Sequence, residues 1–281
     1  MVELTKEQIR NARATFQAGD ALSLQFALEL EYALLGDNGT GKLADAAVFA
    51  DDAMDPGLFF TGAGYQHLYV RGGSMKFLTD PAAAGELRSL ALGRLSGDSE
   101  RILLNIYSPS AIEPLIKIFG DRIEKTIVRH NYRLNHESFG RARADVIIPE
   151  GFALKYFDAG DAGFIKGNEL DENFWNEDSG RFGFALTHAD EIVSDCVSVY
   201  FEKESKDADD KRVVEIGIAT KELYRRRGFA FLTAAAFVGH CLANGLIPNW
   251  GHWDFKPESG ALARRLGFYE ISRRNVLVIR K

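Results

Sequence analysis

One segment limits what this chain can fold into more than any other. Over residues 229–244 the sequence FAFLTAAAFVGHCLAN puts apolar or small side chains on nearly every face of a helix. A helix that is apolar all round must be buried on most sides. Before it stands VVEIGIAT, residues 213–220, which reads as a buried strand. After it, residues 247–253 read as a second short strand, with Pro248 near its start. Strand, helix and strand in that order call for a sheet with the helix laid on it.

The rest of the second half agrees with an α/β pattern. Residues 152–157, 182–187 and 191–201 read as strands. The last is one arm of a hairpin whose loop is the charged run EKESKDADDKR at 202–212. Residues 159–168 read as a helix or turn, 259–266 as a helix closed by Gly267, and 275–279 as the last strand. The first half is less regular. Residues 6–16 and 22–35 carry helical spacing, while LLGDNGTGK and FFTGAGYQ read as glycine-rich turns. Residues 101–107 read as a strand, Ser108 as a cap before a helix that ends at Gly120, and 122–134 as another strand. No internal repeat is visible. The turn residues Pro149-Glu150-Gly151 mark a joint. It divides the 281 residues into an N-terminal α/β domain at 1–148 and a second domain at 149–281.

The chain is 46% hydrophobic and 26% charged, which is ample material for a packed core. Its net charge of -6 disfavours a general nucleic-acid partner, because phosphate backbones demand a basic surface. No apolar run approaches the roughly 18 residues of a membrane span. The opening MVELTKEQIRNARATF lacks the basic region and apolar core of a secretion signal, so a cytoplasmic protein is expected. Cys196 and Cys241 both lie in apolar contexts. They suit buried structural thiols, and neither a disulfide framework nor a metal site is expected.

Chemistry concentrates between the strand and the apolar helix. There the chain reads Arg225-Arg226-Arg227-Gly228-Phe229-Ala230. Gly228 admits a backbone conformation closed to other residues, and Ala230 is small enough to let a ligand approach. The amides from Arg226 to Ala230 stand at a helix start, where free N–H groups and the helix dipole favour an anion. The arginines add charge-assisted contacts to phosphate oxygens. The segment is neither a Walker loop nor a dinucleotide fingerprint. On these grounds alone it is either a pyrophosphate cradle or a solvated basic turn before a core helix.

A resemblance bears on that choice. Arg225, Gly228 and Ala230 match, in order, the coenzyme-A-binding signature of the GNAT superfamily of N-acetyltransferases: Arg or Gln, two residues, Gly, one residue, then Gly or Ala. IPEGFALKYFD, FGFAL, EIGIATKELYRRRGFA, CLANGLIPNW and SGALARRLGF also resemble, in sequence order, the branch that includes zwittermicin A resistance acetyltransferases. The resemblance implies a C-terminal GNAT fold, a mixed and largely antiparallel sheet with flanking helices, preceded by a second α/β domain that in some members is a degenerate copy of the same fold. It implies acetyl-CoA as co-substrate, no metal, and a primary amine on a small molecule or peptide as acceptor. The main chain of Ile218, Ala219 and Thr220 would pair with pantetheine. Arg225, Arg226, Arg227, Gly228, Phe229 and Ala230 would hold the pyrophosphate.

For proton handling the resemblance implies Glu215 as base, a carboxylate within an apolar strand and on the same face as Gly217 and Ala219. A structural pairing of Glu215 with an arginine is the alternative. The tyrosine usual in the small last helix is replaced by Ala263, and Lys256 stands where an Asn commonly precedes Ser259. The nearby hydroxyls are then Ser259 and Tyr269, and His252 ends the preceding strand. Trp250 and Trp253 either wall the substrate cleft or pack the core. The missing tyrosine and Asn keep open a rival reading, an acyl-CoA-binding regulatory module without turnover.

Overall fold

In the computed structural model, twelve strands pair into one sheet. The structure describes residues 2–17, 48–51, 58–63, 67–72, 78–93, 100–144, 146–168, 175, 180–200 and 213–280. The first half contains β1 (Val2–Glu3), α1 (Lys6–Gln17), β2 (Val48–Ala50), β3 (Leu58–Ala63), β4 (His67–Gly72), α2 (Pro81–Gly93), β5 (Arg101–Ile106), α3 (Ile112–Phe119) and β6 (Ile123–Leu134). After a connecting α4 (His136–Arg143), the second half contains β7 (Phe152–Asp158), α5 (Ala162–Gly167), β8 (Phe182–His188), β9 (Glu191–Tyr200), β10 (Val213–Thr220), α6 (Phe229–Ala243), β11 (Ile247–Trp253), α7 (Pro257–Arg265) and β12 (Phe268–Arg280).

Among the described residues the two halves have the same element order. Each runs strand, helix, three strands, helix, strand, helix, strand. The sequence shows no repeat, but the topology does. The sheet order is β1-β2-β3-β4-β5-β12-β6-β11-β10-β9-β8-β7, so the halves meet at its centre by exchanging their last strands. β12 pairs antiparallel with β5, and β6 with β11, and the two exchanged strands pair with each other from Phe268↔Leu134 to Ile279↔Ile123. In both halves the fourth and fifth strands are parallel, β4 with β5 and β10 with β11. Parallel neighbours need a crossover, which α2 and α6 supply.

The cores follow the same exchange. α6 lies against β9, β10 and β8, and its Phe231, Ala234, Phe237 and Val238 pack with Val214 and Ile216. That core also takes in Tyr132 and Leu134 from β6. The first-half core has α2 and α3 over β4 and β5, with Leu87, Leu115 and Phe119 fully buried, and it takes in Leu277 and Ile279 from β12. Each half thus lends the other both a hydrogen-bonded edge and core side chains. The joint at 149–151 falls between α4 and β7, but the sheet is shared across it.

Several sequence expectations need correcting. FFTGAGYQ is not simply a turn: Leu58–Ala63 is a strand paired with β2 and β4. β2 and α2 lie in segments where no element was expected. The last strand begins at Phe268 rather than 275, because its first seven residues pair with β6 before β5 begins to pair at Asn275. The helix expected at 22–35 and the charged loop at 202–212 lie outside the described residues, although β9 and β10 pair antiparallel as the arms of a hairpin should. Cys196 and Cys241 are buried and unbridged, as expected, and burial pushes both thiols up, Cys241 to about 12.

The strand exchange has a direct consequence for truncation. Residues 149–281 alone would leave β11 without β6 and β12 without both β5 and β6, exposing three unpaired strand edges and opening the core at Trp250 and Phe268. Each large apolar side chain released to water costs about 1.5–3 kcal/mol. The fragment is expected to be insoluble or to unfold without a cooperative thermal transition, read by far-UV circular dichroism. A soluble fragment with a sharp transition would contradict the dependence on β6.

Candidate active site

β10 and β11 are paired at Val213↔Ile247, Val214↔Pro248 and Glu215↔Asn249, and no further. From Ile216 and Trp250 onward the strands diverge. The same position carries a register shift in the β10–β9 ladder, between Glu215 and Ile216. The extra residue, Val199, is on β9, and such a bulge increases the local twist where β10 parts from β11. On the other wall Trp250 is buried, with its ring against Phe268 and its indole N–H donating to Ser259 Oγ at 3.2 Å. The cleft opens towards the carboxyl ends of both strands, the usual place for a ligand in an α/β sheet.

The segment that follows β10 sits at this opening. Gly228 has φ 83° and caps α6, and Arg226 is also left-handed with φ 60°. For Arg226 that conformation costs about 1–2 kcal/mol. The backbone N–H groups of Arg226 to Ala230 have no acceptor among the described residues, and Gly228 offers no side-chain cap. A ligand oxygen is therefore free to take them. The three arginines differ. Arg225 Nε donates to Thr220 O at 3.2 Å, which ties the turn to the end of β10. Arg226 is exposed. Arg227 lies over the rings of Phe229, Tyr224 and Phe152, at 4.8, 5.5 and 5.7 Å.

The first half closes its counterpart of this cleft. β4 and β5 stay paired through Val70↔Ile106, and Tyr107 N–H donates to Val70 O at 2.8 Å. The Asn105 amide donates across to Leu68 O at 3.2 Å, and Arg71 Nη1 to Tyr107 O at 3.3 Å. The helix start is occupied as well. Asp80 Oδ1 accepts Ala83 N–H at 2.8 Å, placing a carboxylate where an anionic ligand would need donors. Only the second half has both an open cleft and uncommitted amides among the described residues.

Glu215 lies on the face of β10 shared by Gly217 and Ala219, and its carboxylate accepts from Arg129 Nη2 at 2.7 Å. Arg129 comes from β6, so the first half supplies the pair. It stacks over Trp253 at 5.0 Å and fills the space beside Gly251, where an added Cβ would lie 2.7 Å from its Nη2. Burial lowers the Arg129 pKa and Glu215 opposes that shift. Tyr269 is 48% exposed on β12, three strand spacings or about 14 Å from β10, and is not brought to the cleft. Ala263 is fully buried, so the position usual for a tyrosine is part of the core.

Sequence reasoning missed a polar network on the opposite face. His252 stacks on His130 of β6 with ring centroids 4.7 Å apart. His252 Nδ1 lies 2.8 Å from Trp253 O, so it carries the proton and Nε2 accepts from Tyr132 O–H at 3.1 Å. Arg264 Nη1 donates to the same phenol oxygen at 3.1 Å. His130 Nδ1 donates to Glu270, which also accepts from Arg273. Burial pushes Glu270 up, but Arg273 and His130 outweigh it and the carboxyl titrates low. Burial also lowers His252 and keeps it neutral. Gly260 of α7 makes room for this ring, because a Cβ there would overlap His252 Nε2.

A cavity of about 320 Å³ lies over the paired ends of β9 and β10. It is lined by the end of α5, by Glu191 to Asp195 of β9 and by Ala219, Thr220 and Lys221. It thus shares Ala219 and Thr220 with the strand that walls the cleft. Among the described residues no cluster of His, Cys, Asp and Glu could hold a metal. No described helix is long and apolar enough to cross a membrane.

These features coincide with a family match. The family model for GNAT acetyltransferase matches residues 47–276. The chain belongs to the GNAT acetyltransferase family. It is 25% identical over 276 residues to an uncharacterised N-acetyltransferase of Bacillus subtilis (strain 168), YdfB, covering 96% of this chain and 95% of that one. Among solved structures it resembles a GCN5-related N-acetyltransferase-like protein from Streptococcus suis 89/1591, with TM-score 0.61, 19% identity and coverage of 98% and 99%. It also resembles a tandem GNAT protein from the clavulanic acid biosynthesis pathway, with TM-score 0.55, 12% identity and coverage of 84% and 78%. The structural likenesses concern the fold. The match takes in the first half from residue 47, in keeping with the repeated element order.

The ion pair across the halves yields a prediction. Arg129 and Glu215 side chains are only 15% and 22% exposed. Arg129→Met would leave a mostly buried carboxylate unpaired and is expected to destabilise by about 1–3 kcal/mol. Adding Glu215→Leu should recover most of that loss. Urea unfolding of both variants checks this, and equal stabilities for the single and double variants would contradict the pairing.

Proposed function

We propose that this protein transfers an acetyl group from acetyl-CoA to a primary amine. The observation that carries the reading is the coincidence of an opened β10–β11 cleft with an unbonded row of amides at the start of α6. The residues fit the group. The Arg226 to Ala230 amides, with Arg225 and Arg226 beside them, would hold the pyrophosphate. The edge of β10 turned away from β9, at Ile218 and Thr220, would receive the pantetheine arm. Ala219, expected beside them, instead has its N–H and C=O taken by Asp195 and Ser194 of β9. The co-substrate supplies an acyl group activated as a thioester.

The chain's own residues then position and polarise. Strand amides hold the carbonyl end, and Trp250 closes the wall of the cleft. Ser259 accepts the Trp250 N–H and so keeps its own proton to offer at that wall. Among the hydroxyls singled out from the sequence, Ser259 is the one with a contact to a cleft residue. Glu215, ion-paired with Arg129, stands on β10 where its pairing with β11 ends. The segments shared with the zwittermicin A resistance branch support placing the chain there, and the buried unbridged thiols support a cytoplasmic setting.

The rival is a coenzyme-A-binding module without turnover, favoured by the burial of Ala263. Acetyl-CoA at about 100 times its Kd should stabilise the protein by about 2.7 kcal/mol, measured as a thermal shift. Ala230→Glu should abolish that shift while leaving the far-UV spectrum unchanged. Thiol release from acetyl-CoA in the presence of a panel of amines separates enzyme from module. A thermal shift with no thiol release on any amine would favour the module, and an unchanged shift in Ala230→Glu would displace the cofactor site.

A further inference from the structure

The cavity beside β10 has an uneven supply of hydrogen-bonding groups. Asn168 is fully used: its Oδ1 accepts Ile192 N–H at 2.9 Å and its amide donates to Phe164 O at 3.0 Å. Ser194 donates to Ala219 O at 3.1 Å, so the 2.8 Å contact between Ser194 and Thr220 hydroxyls must use the Thr220 proton. Neither hydroxyl has a proton left to offer. At the rim, Lys221 Nζ is paired with Glu191 at 3.3 Å, and both are exposed. Asp195 differs. Its Oδ1 accepts Ala219 N–H at 3.1 Å, and its Oδ2 has no partner among the described residues.

Among the described residues the lining therefore presents one uncommitted side-chain acceptor, Asp195 Oδ2, and no uncommitted side-chain donor away from the rim. Such a surface suits a ligand that donates hydrogen bonds and carries positive charge. An anion would meet a carboxylate and no donor to compensate. The charged groups around Asp195 are Glu191 on its own strand and Lys221 after β10. Lys155 of β7 lies on the same face, with its ammonium over the Phe164 ring at 4.0 Å. Asp195, Glu191 and Lys221 sum to -1, which one ammonium neutralises. Glu215, further along β10, is already paired with Arg129.

We propose that this cavity is the acceptor site and that Asp195 is its ammonium-binding group, selecting a small amine with a single positive charge. The proposal rests on the acetyltransferase reading above for its catalytic meaning. Asp195 Oδ2 accepts from the ammonium and takes one proton from it, which frees the nitrogen lone pair. The neutral amine then bonds the thioester carbonyl carbon, the C–S bond breaks, and the second nitrogen proton goes to the departing thiolate. The proton on Asp195 passes to solvent through the open side of the cavity. Burial, opposed by the Ala219 N–H, lifts the Asp195 carboxyl to about 6. An alkylammonium ordinarily titrates near 10, about four units higher, so the resting complex is an ion pair. The volume, about 320 Å³, lies at the small end of ligand sites and disfavours an aminoglycoside.

The test uses the full chain with no acyl donor present. Isothermal titration at pH 7.5 compares n-butylamine, spermidine, kanamycin and n-butyrate. Butylamine should bind best and butyrate not at all. Asp195→Asn should weaken butylamine by about tenfold to a hundredfold. Butylamine affinity in the native protein should rise with pH through about 6, as Asp195 ionises and the amine stays charged. A carboxyl raised on folding stabilises below its unfolded value and loses that contribution as pH rises through about 6. Native thermal stability should therefore fall across that window, while Asp195→Asn should not show the fall and should be the more stable at pH 8. Undiminished butylamine binding by Asp195→Asn, preferred binding of butyrate, or affinity flat through pH 6 would each overturn the proposal. Should Asp195→Asn not fold, the pH series on the native protein decides. Coenzyme A binding, measured separately, should survive Asp195→Asn. Its absence in the native protein would sink the acetyltransferase reading without touching the amine result.

Discussion

The pairing of β6 with β12 is the contact on which the rest of this structure depends. It joins the last strand of each half to the other, from Phe268↔Leu134 to Ile279↔Ile123, and it fixes the flanking ladders on both sides. Because β6 is held by β12, it can present Arg129 and Tyr132 to β11. Because β12 is held by β6, it can deliver Leu277 and Ile279 to the first-half core. A slip of one residue would turn every one of these side chains to the wrong face. The register shifts near Ser272 and Ile279 show where the long strand adjusts to satisfy both neighbours.

On that shared frame the two halves have diverged in one respect that matters for chemistry. Both contain parallel fourth and fifth strands with a crossover helix. In the second half the strands part where β9 bulges opposite Glu215 and Ile216, and the helix start keeps its amides free. In the first, Asn105, Arg71 and Tyr107 hold the strands together and Asp80 takes the helix start. A few hydrogen bonds decide which half keeps an open cleft and free amides. The closed half serves the open one as a supplier of side chains.

What the sequence made legible follows the range of the interactions. The strand, turn and helix from Val213 to Ala243 were readable because each is specified locally: β-branched residues, a glycine at a left-handed position and an uninterrupted apolar run. The duplicated order was not, since the halves share topology without a visible shared pattern. Arg129 and Glu215 are 86 residues apart, and nothing near either names the other. The arginine partner weighed for Glu215 is present, from a half in which no chemistry was readable. Asp195 carried a usable signal that went unread. It shares its parity in β9 with Val197 and Val199, a carboxylate in an apolar row, the same cue that singled out Glu215. Tyr269 looked close to the site by sequence distance, but sheet order puts two strands between β12 and β10.

The exchange of last strands also governs how the chain can reach its fold. The first-half core lacks Leu277 and Ile279 until β12 has been made, and β6 lacks one of its two neighbours until then. During synthesis, the edges of β5 and β6 must wait open for the last of the twelve strands. Such long-range closure is slow, and unpaired edges invite association meanwhile. The architecture that lets a closed half furnish an active one thus ties both to a single late step, in which neither half matures ahead of the other.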